Sequence, residues 1–440
     1  MPERGQAGAL ANPIEGSSVY PAGSRVNERG HLELAGCDVV ELAAELGTPA
    51  YLYAEDDMRG RARAYREAFE SRGAEHEVLF ASKSLPCTAA YRLFAEEGLS
   101  VDVASGGELH MALRAGFDPA RIHMHGNNKS DEEILLATRA GVGHLILDSF
   151  DEIERCERLL EQPQDVLIRV TPGIKPSTHD YVQTGQLDSK FGFGIEDGLA
   201  ARAIERVLAS DVLELVGLHA HIGSQIFELE PYVKTIEALA ALAGDAGLAP
   251  EEFALLNVGG GLGIAYTAAD EPPSIRSYVD VKVEGVRRVF DPVPRILVEP
   301  GRSLVGNAGV TLYEVGTVKE IPGVRTYVAV DGGMSDNLRP MLYGARYDAL
   351  IANRAGDVPD TRVTIAGMHC ESSDVIVRDA ELAAPRVGDL LVTPATGAYG
   401  HSMANNYNGV LRPPVLFCKD GDARVVVRRE TYDDLVRRDA

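Results

Sequence analysis

Eight short apolar runs alternate with amphipathic segments between residues 78 and 299, and this alternation limits the fold of the chain more than any other feature. The runs are rich in β-branched residues, as buried strands are, and the segments between them have helical spacing. Eight such pairs within about 250 residues predict a (β/α)8 barrel, with a doubly wound open sheet as the alternative. The runs are Val78–Ser82, Ser100–Ala104, Arg121–His125, Leu145–Asp148, Val166–Val170, Leu215–His221, Leu255–Val258 and Ile296–Glu299.

Signals that begin and end helices lie between these runs. Ser130-Asp-Glu-Glu133 and Ser149-Phe-Asp-Glu152 have the pattern of capping boxes at the start of a helix. Gly98, Gly116 and Gly141 stand where helices are expected to end. These signals support strands and helices in regular alternation.

The pattern changes after Arg302, where turn residues separate strand-like runs and long helical segments are few. This predicts a second, mainly antiparallel β domain, to which His31–Leu34 is expected to add a strand. We predict a disordered N-terminus over 1–24, a segment at 25–49 that joins the β domain, the barrel over 50–302 and the β domain over 303–440. The runs are Val310–Val318, Arg325–Val330, Arg362–Ile365, Leu390–Val392 and Arg424–Arg429.

Charge and cysteine content exclude several classes of function. The net charge of −23 repels phosphate backbones, which argues against binding to nucleic acid or to anionic membranes. The five cysteines are odd in number and lack metal-site spacing, so neither a disulfide framework nor a structural zinc site is expected. No apolar stretch has the character of a signal peptide or a membrane span, and we expect a cytoplasmic protein.

Polar residues follow the predicted strands at their carboxyl ends, where barrel enzymes carry their active sites. They are Lys83, Asp102, His125-Gly-Asn-Asn-Lys129, His219-Ala-His-Ile-Gly-Ser-Gln225, Gly259-Gly-Gly261 and Glu299-Pro-Gly-Arg302. A lysine after an apolar strand, as Lys83 is, can be desolvated and act as a nucleophilic amine, or it can simply extend to water.

Two of these motifs indicate a bound ligand. The three glycines at 259–261 let backbone N–H groups approach an anion, although such a run also forms ordinary tight loops. His219 and His221 are two residues apart on a strand, which permits a divalent-metal hydrolase, but beside Gly223 and Ser224 an aromatic platform for a planar cofactor fits His221 better.

Glu299 emerges at the end of an apolar strand, where a carboxylate can hold a proton on a ring nitrogen. An ion pair with Arg302 is the alternative. Together the motifs resemble the fold-type III pyridoxal-phosphate decarboxylases over residues 36–438. The resemblance continues in Asp331-Gly-Gly-Met-Ser-Asp-Asn337, Cys370-Glu-Ser372 and Thr396-Gly-Ala-Tyr399.

The resemblance implies roles for individual residues. Lys83 would bind pyridoxal 5'-phosphate covalently and Cys370 would be the proton donor. The cofactor-binding residues would also include Asp102, His221, Ser224, Gly260, Gly261, Glu299, Gly301, Arg302 and Tyr399. The substrate would meet Arg302, Arg339, Tyr343, Glu371 and Tyr399. Cys370 and Glu371 would reach the site of the neighbouring subunit, which implies a homodimer.

Within this family, a second substrate carboxylate could be bound by Arg302, Arg339 and Tyr343, and a second amine by Glu371. This set of residues favours decarboxylation of meso-2,6-diaminopimelate to L-lysine and CO2. Decarboxylation of ornithine, arginine, lysine or carboxynorspermidine is the alternative within the fold. An alanine racemase would not place a carboxylate at the ring nitrogen. A pyridoxal-phosphate carrier would not need Cys370, and a metal-dependent barrel hydrolase is the remote alternative.

Overall fold

The computed structural model describes residues 14–174, 189–249 and 252–440. The chain divides into two compact units. The barrel unit comprises residues 58–264 and 270–306. The sheet unit comprises the described residues up to Asp57 together with 265–269 and 307–440.

Eight parallel strands form the barrel unit, as the alternation predicts. The strand that contains Val298 pairs with the strand that contains Val78, so the sheet closes on itself and the open-sheet alternative is wrong. Leu79, Ile146, Leu167, Leu255 and Leu297 form a buried cluster. The strands are His76–Ala81, Ser100–Val103, Ile122–Met124, His144–Leu147, Gln164–Thr171, Leu213–His219, Leu255–Asn257 and Arg295–Val298, and Phe193–Gly194 pairs with the fifth.

Helices connect the strands, and their ends agree with most of the sequence signals. Ser130 and Glu133 form the predicted capping box, and Gly141 ends that helix with a positive φ. Ser149 caps the next helix, but the Glu152 carboxylate turns to Lys129 instead of completing a box. The helices are Glu55–Ser71, Thr88–Glu96, Gly106–Arg114, Asp131–Ala140, Phe150–Leu159, Leu199–Leu208, Glu230–Asp245, Ile275–Val289 and Arg302–Val305, with short 3-10 turns at Ser82–Ser84 and Pro119–Arg121.

The sheet unit is mainly antiparallel, as expected, although two of its strand pairs are parallel. Its strands are Ala50–Ala54, Gly309–Ile321, Arg325–Val330, Leu350–Ile351, Thr361–Ala366, Val375–Leu382, Leu390–Thr393, Val415–Lys419 and Asp422–Val427. Short helices are Val39–Leu46, Arg339–Tyr343, Gly400–Met403 and Tyr432–Val436, with 3-10 turns at Ala352–Arg354 and Tyr407–Gly409.

The N-terminal region differs from its prediction in three ways. Residues 14–24 are packed, because the apolar side chains of Ile14 and Val19 are buried, whereas residues 1–13 lie outside the described part of the chain. Leu32–Leu34 is a strand, but it pairs with Arg25–Val26 and Cys37–Asp38 in a separate three-stranded sheet. Ala50–Ala54 pairs with strands of the sheet unit and not with the barrel.

No helix of the described residues is both long enough and apolar enough to span a membrane.

Candidate active site

Glu299 lies at the centre of a hydrogen-bonded cluster at the carboxyl ends of the barrel strands. Asn257 donates to its carboxylate at 2.7 Å, and Nε2 of His125 and of His219 lie 3.0 and 3.2 Å from it. Burial alone would raise the pKa of Glu299, but the two histidines lower it well below its usual range. Glu299 is therefore ionised, and its partners are these side chains and not Arg302.

The same three residues, His125, His219 and Glu299, are close enough together to hold a metal ion. Both Nε2 atoms lie close to the carboxylate, and a histidine nitrogen that carries a proton towards the carboxylate cannot bind a metal ion with the same atom. The arrangement thus fits a carboxylate held in its charged form better than a metal centre.

His221 follows the strand that ends at His219, and its ring is held by the glycine loop. The Gly260 N–H donates to His221 Nδ1 at 3.2 Å. Burial lowers the pKa of His221 well below its usual range, and the positive charge of Lys83 adds to this effect. His221 is therefore a neutral ring in a fixed orientation, as a platform for a planar ligand requires.

Lys83 lies in the 3-10 turn Ser82–Ser84, which follows the first barrel strand. Lys83 is exposed while Ser82 and Ser84 on either side of it are buried. This exposure agrees with the second alternative from the sequence, a lysine that extends to water. Burial raises the pKa of Asp102, and the charges of His125 and Lys83 oppose this effect, so Lys83 acts electrostatically on both Asp102 and His221.

The loop at Gly259–Gly261 requires glycine for steric reasons. A Cβ at Gly260 would lie 2.2 Å from the Glu299 carbonyl oxygen, and a Cβ at Gly261, where φ is +104°, would lie 2.6 Å from that of Gly223. The loop therefore packs its backbone directly against the ends of neighbouring strands. Its peptide groups, and not side chains, form this part of the site.

Arg302 and Ser224 meet in the barrel unit. The buried Arg302 guanidinium donates to Ser224 Oγ at 2.9 Å from Nη2 and 3.2 Å from Nε. Gly301 precedes it, and a Cβ there would lie 3.0 Å from the Ala81 Cβ and 3.2 Å from the Ser84 Cβ. The strand-end segment 299–302 therefore packs tightly against the turn that carries Lys83.

The sheet unit brings together a second group of predicted residues. Arg339 is buried, its Nη1 donates to Tyr347 Oη at 2.6 Å, and its guanidinium lies 4.6 Å from the Tyr266 ring centroid. Tyr399 acts on it electrostatically. Tyr343 is half-buried at the end of the short helix that Arg339 begins. Within the described part of the chain, no carboxylate forms an ion pair with Arg339.

Cys370 and Glu371 are exposed on a loop of the sheet unit. The Cys370 N–H donates to Asn408 Oδ1 at 3.0 Å. The buried carboxylate of Asp374 holds the same loop. Its Oδ2 accepts the N–H of His369 at 3.0 Å and lies 2.8 Å from Nδ1 of the same residue. Its Oδ1 accepts the Met334 N–H at 2.8 Å. Hydrogen bonds therefore hold this loop in place, while Cys370 and Glu371 are exposed.

Sequence reasoning did not identify several residues that support the site. Asn257, Asp374 and Lys282 were given no role, and His125 and His219 were not recognised as partners of Glu299. A signal for Lys282 did exist: it lies four residues after Tyr278 and four before Val286, on the apolar face of its helix. The contacts of Asn257 and Asp374 leave no comparable pattern.

The chain is similar in sequence to proteins of known function. The sequence model described as "Pyridoxal-dependent decarboxylase, pyridoxal binding domain" matches residues 55–306. The chain is 50% identical to diaminopimelate decarboxylase of Bacillus subtilis, over 94% of this chain and 97% of that protein. It is 47% identical to the enzyme of that name from Actinosynnema pretiosum, over 98% of both chains.

Solved structures give the same result. The chain is similar to diaminopimelate decarboxylase from M. jannaschii in complex with L-lysine, with a TM-score of 0.88 and 34% identity over 98% of each chain. A lysine/ornithine decarboxylase from Vibrio vulnificus has a TM-score of 0.74 at 23% identity, over 87% of this chain and 98% of that one, which shows a common fold alone.

Proposed function

The chain belongs to the diaminopimelate decarboxylase family of pyridoxal-dependent decarboxylases, and on this premise we propose that it converts meso-2,6-diaminopimelate to L-lysine and CO2. The structural observation that supports this substrate best is Arg339, a buried guanidinium without an ion-pair partner among the described residues. Such a group suits a second carboxylate, which ornithine, arginine and lysine lack.

The residues of the barrel unit fit pyridoxal phosphate. The neutral, fixed ring of His221 suits stacking on the cofactor ring, and the ionised Glu299 suits a protonated nitrogen in that ring. The glycine loop, in which any Cβ would clash, suits a phosphate bound by backbone N–H groups. When bound, the cofactor supplies an electron sink for the pair of electrons left when CO2 departs.

The protein side chains orient this chemistry. Lys83 would hold the cofactor covalently between turnovers. The charge of its amine acts on Asp102, where it opposes the rise in pKa that burial causes. Glu299 would keep a proton on the ring nitrogen. Ser224, Gly260, Gly261, Gly301 and Arg302 would hold the phosphate together with Tyr399.

The substrate would be held by the predicted substrate-binding side chains. Arg302, Arg339 and Tyr343, with Tyr399, would bind the carboxylate that is not removed. Glu371 would bind the distal ammonium. The protein is strongly acidic overall, so the positive charge that would select a dicarboxylate is local and belongs to Arg302 and Arg339.

Cys370 would return a proton to Cα, and we infer that it does so in the active site of a second subunit. The exposure of Cys370 and Glu371 on a hydrogen-bonded loop supports this assignment, because residues that serve a neighbouring subunit must be accessible on the surface of their own subunit. The functional unit would then be a homodimer. A cytoplasmic location stays a prediction.

Substrate competition tests the activity. The purified protein with pyridoxal phosphate is expected to release CO2 from meso-diaminopimelate and not from L-lysine, L-ornithine or L-arginine. Arg339→Leu is expected to raise KM for meso-diaminopimelate by about 100-fold or more, the loss of one charge-assisted carboxylate contact. Preference for a diamino monocarboxylate would refute the substrate assignment.

Subunit mixing tests the dimer. Lys83→Ala and Cys370→Ala are each expected to be inactive as homodimers. Co-expression should restore activity to about one quarter of the wild-type value, because half of the randomly formed dimers would contain one intact site of two. Activity that is not restored would place Cys370 in the same subunit as Lys83 or outside the reaction.

A further inference from the structure

Lys282 is a buried lysine in contact with the glycine loop. It lies on the helix Ile275–Val289 and has no exposed surface. Its Nζ donates to the carbonyl oxygen of Val258 at 2.7 Å and to that of Gly259 at 3.3 Å. The mechanism proposed above does not use it.

Two aromatic rings enclose the ammonium group. Nζ lies 4.4 Å from the ring centroid of Tyr232 and 4.3 Å from that of Tyr278, at distances typical of cation–π contacts. No carboxylate of residues 14–174, 189–249 or 252–440 pairs with Lys282. Burial lowers the pKa of Lys282 well below its usual range, and the charge of Glu299 opposes this effect at longer range.

A buried amine enclosed by aromatic rings must have its polar hydrogens satisfied by hydrogen bonds, and the acceptors here are the carbonyl oxygens of Val258 and Gly259. Lys282 thus contacts the two peptide groups that join Val258 to Gly259 and Gly259 to Gly260. The N–H groups of these peptides belong to Gly259 and Gly260. Tyr278 Oη lies 3.1 Å from the carbonyl oxygens of both Gly259 and Gly260. The N–H groups of Gly259 and Gly260 donate in turn to Asn257 Oδ1 at 3.0 Å and to His221 Nδ1 at 3.2 Å, so this part of the loop is held from both sides. The hydrogen bond from Tyr278 to the Gly260 carbonyl oxygen polarises the peptide group whose N–H belongs to Gly261 and makes that N–H a stronger donor.

We propose that Lys282 is a positioning residue for the cofactor phosphate, because its buried amine fixes the orientation of the glycine loop and thereby of the backbone N–H groups that would bind a dianion. This inference rests on the proposed role of Gly260 and Gly261 as phosphate ligands. The effect acts through the loop, since the ammonium group itself is enclosed by Tyr232 and Tyr278.

The experiment compares two ligands that differ only in the phosphate. Full-length protein is freed of cofactor and titrated with pyridoxal phosphate or with pyridoxal, and binding is followed by absorbance. Lys282→Met, which has a similar length but no charge, is expected to weaken pyridoxal phosphate about 10- to 100-fold and to leave pyridoxal unchanged. At saturating cofactor its kcat should remain close to wild type.

Lys234→Met is the matched control, because Lys234 is a solvent-exposed lysine on the helix Glu230–Asp245. It is expected to bind both ligands as the wild type does. Tyr278→Phe removes only the hydroxyl and is expected to give a smaller loss that is again selective for pyridoxal phosphate. This variant provides the test if Lys282→Met does not fold.

A loss of equal size for both ligands, or no loss, would overturn the role of Lys282. Because no amino-acid substrate is present, this outcome is independent of the substrate assignment. Failure of the wild-type protein to bind pyridoxal phosphate would instead contradict the proposed function itself.

Discussion

Asp374 accepts the backbone N–H of His369 at 3.0 Å and contacts the ring Nδ1 of the same residue at 2.8 Å, so that one buried carboxylate closes the loop that presents Cys370. Two glycines make room for it. A Cβ at Gly367 would lie 2.1 Å from an Asp374 carboxylate oxygen, and a Cβ at Gly333 would lie 2.5 Å from one. The Asp331–Asn337 and Cys370–Ser372 motifs thus meet at a common residue.

Asp374→Asn is expected to lower kcat about tenfold while the bound-cofactor spectrum stays unchanged. The asparagine amide would place its N–H₂ group opposite N–H groups that donate to the carboxylate in the wild type. Two donors would then face each other, which costs about as much as one unsatisfied buried hydrogen bond. Steady-state rates and absorbance check this. Glu381→Gln, at an exposed position on the following strand, is the control and should be neutral. An unchanged kcat for Asp374→Asn would show that the loop tolerates loss of the carboxylate.

Glu299→Gln is expected to lower kcat by about 100-fold or more, because the shape of the side chain is kept but the charge maintained by His125 and His219 is lost. His125→Asn should have a smaller effect, since His219 still contacts the carboxylate. Activity at saturating cofactor measures both changes. If Glu299→Gln were as active as the wild type, the carboxylate would have no electronic role.

Lys129→Met is expected to destabilise the protein by about 3–5 kcal/mol, because it leaves the carboxylate of Glu152 buried without its partner. Both residues are almost completely buried, and Lys129 also donates to the carbonyl oxygens of Gly126 and Ile146. Unfolding in urea measures the free energy. The double variant Lys129→Met with Glu152→Leu should recover much of the loss, and a single variant of wild-type stability would contradict the prediction.

His144 is expected to make the protein less stable as pH falls below neutrality. Burial lowers the pKa of His144 to about 3, an effect that His123 and Arg295 increase and Glu77 opposes. In the unfolded chain a histidine titrates near pH 6.5, so between pH 7 and pH 5 the unfolded state takes up a proton that the folded state does not. The free energy of unfolding should fall by up to about 2 kcal/mol from this group.

Urea unfolding at the two pH values tests this dependence. His144→Asn should lose correspondingly less stability between pH 7 and pH 5 than the wild type. His110→Asn, at an exposed position, should behave like the wild type. Equal pH dependence in wild type and His144→Asn would show that the ring is protonated in the folded protein.

The sequence predicted features that depend on neighbours along the chain. All eight barrel strands were located to within a few residues, because β-branched runs and helical spacing are local properties. The capping box at Ser130 and the helix end at Gly141 follow from backbone chemistry within one turn. The choice of Glu299 and His221 as site residues likewise followed from their places at strand ends.

Only the tertiary structure decided which distant groups meet. Glu299 could pair with Arg302 or with other residues, and the closure of the barrel brings His125, His219 and Asn257 to it instead. The sequence left open whether Lys83 is desolvated or extends to water, and in the structure the residue is exposed. The electrostatic environment of a group and its hydrogen-bond partners depend on distances in space. For residues far apart in the chain, such as Lys282 and Val258, packing sets these distances and the order of residues does not.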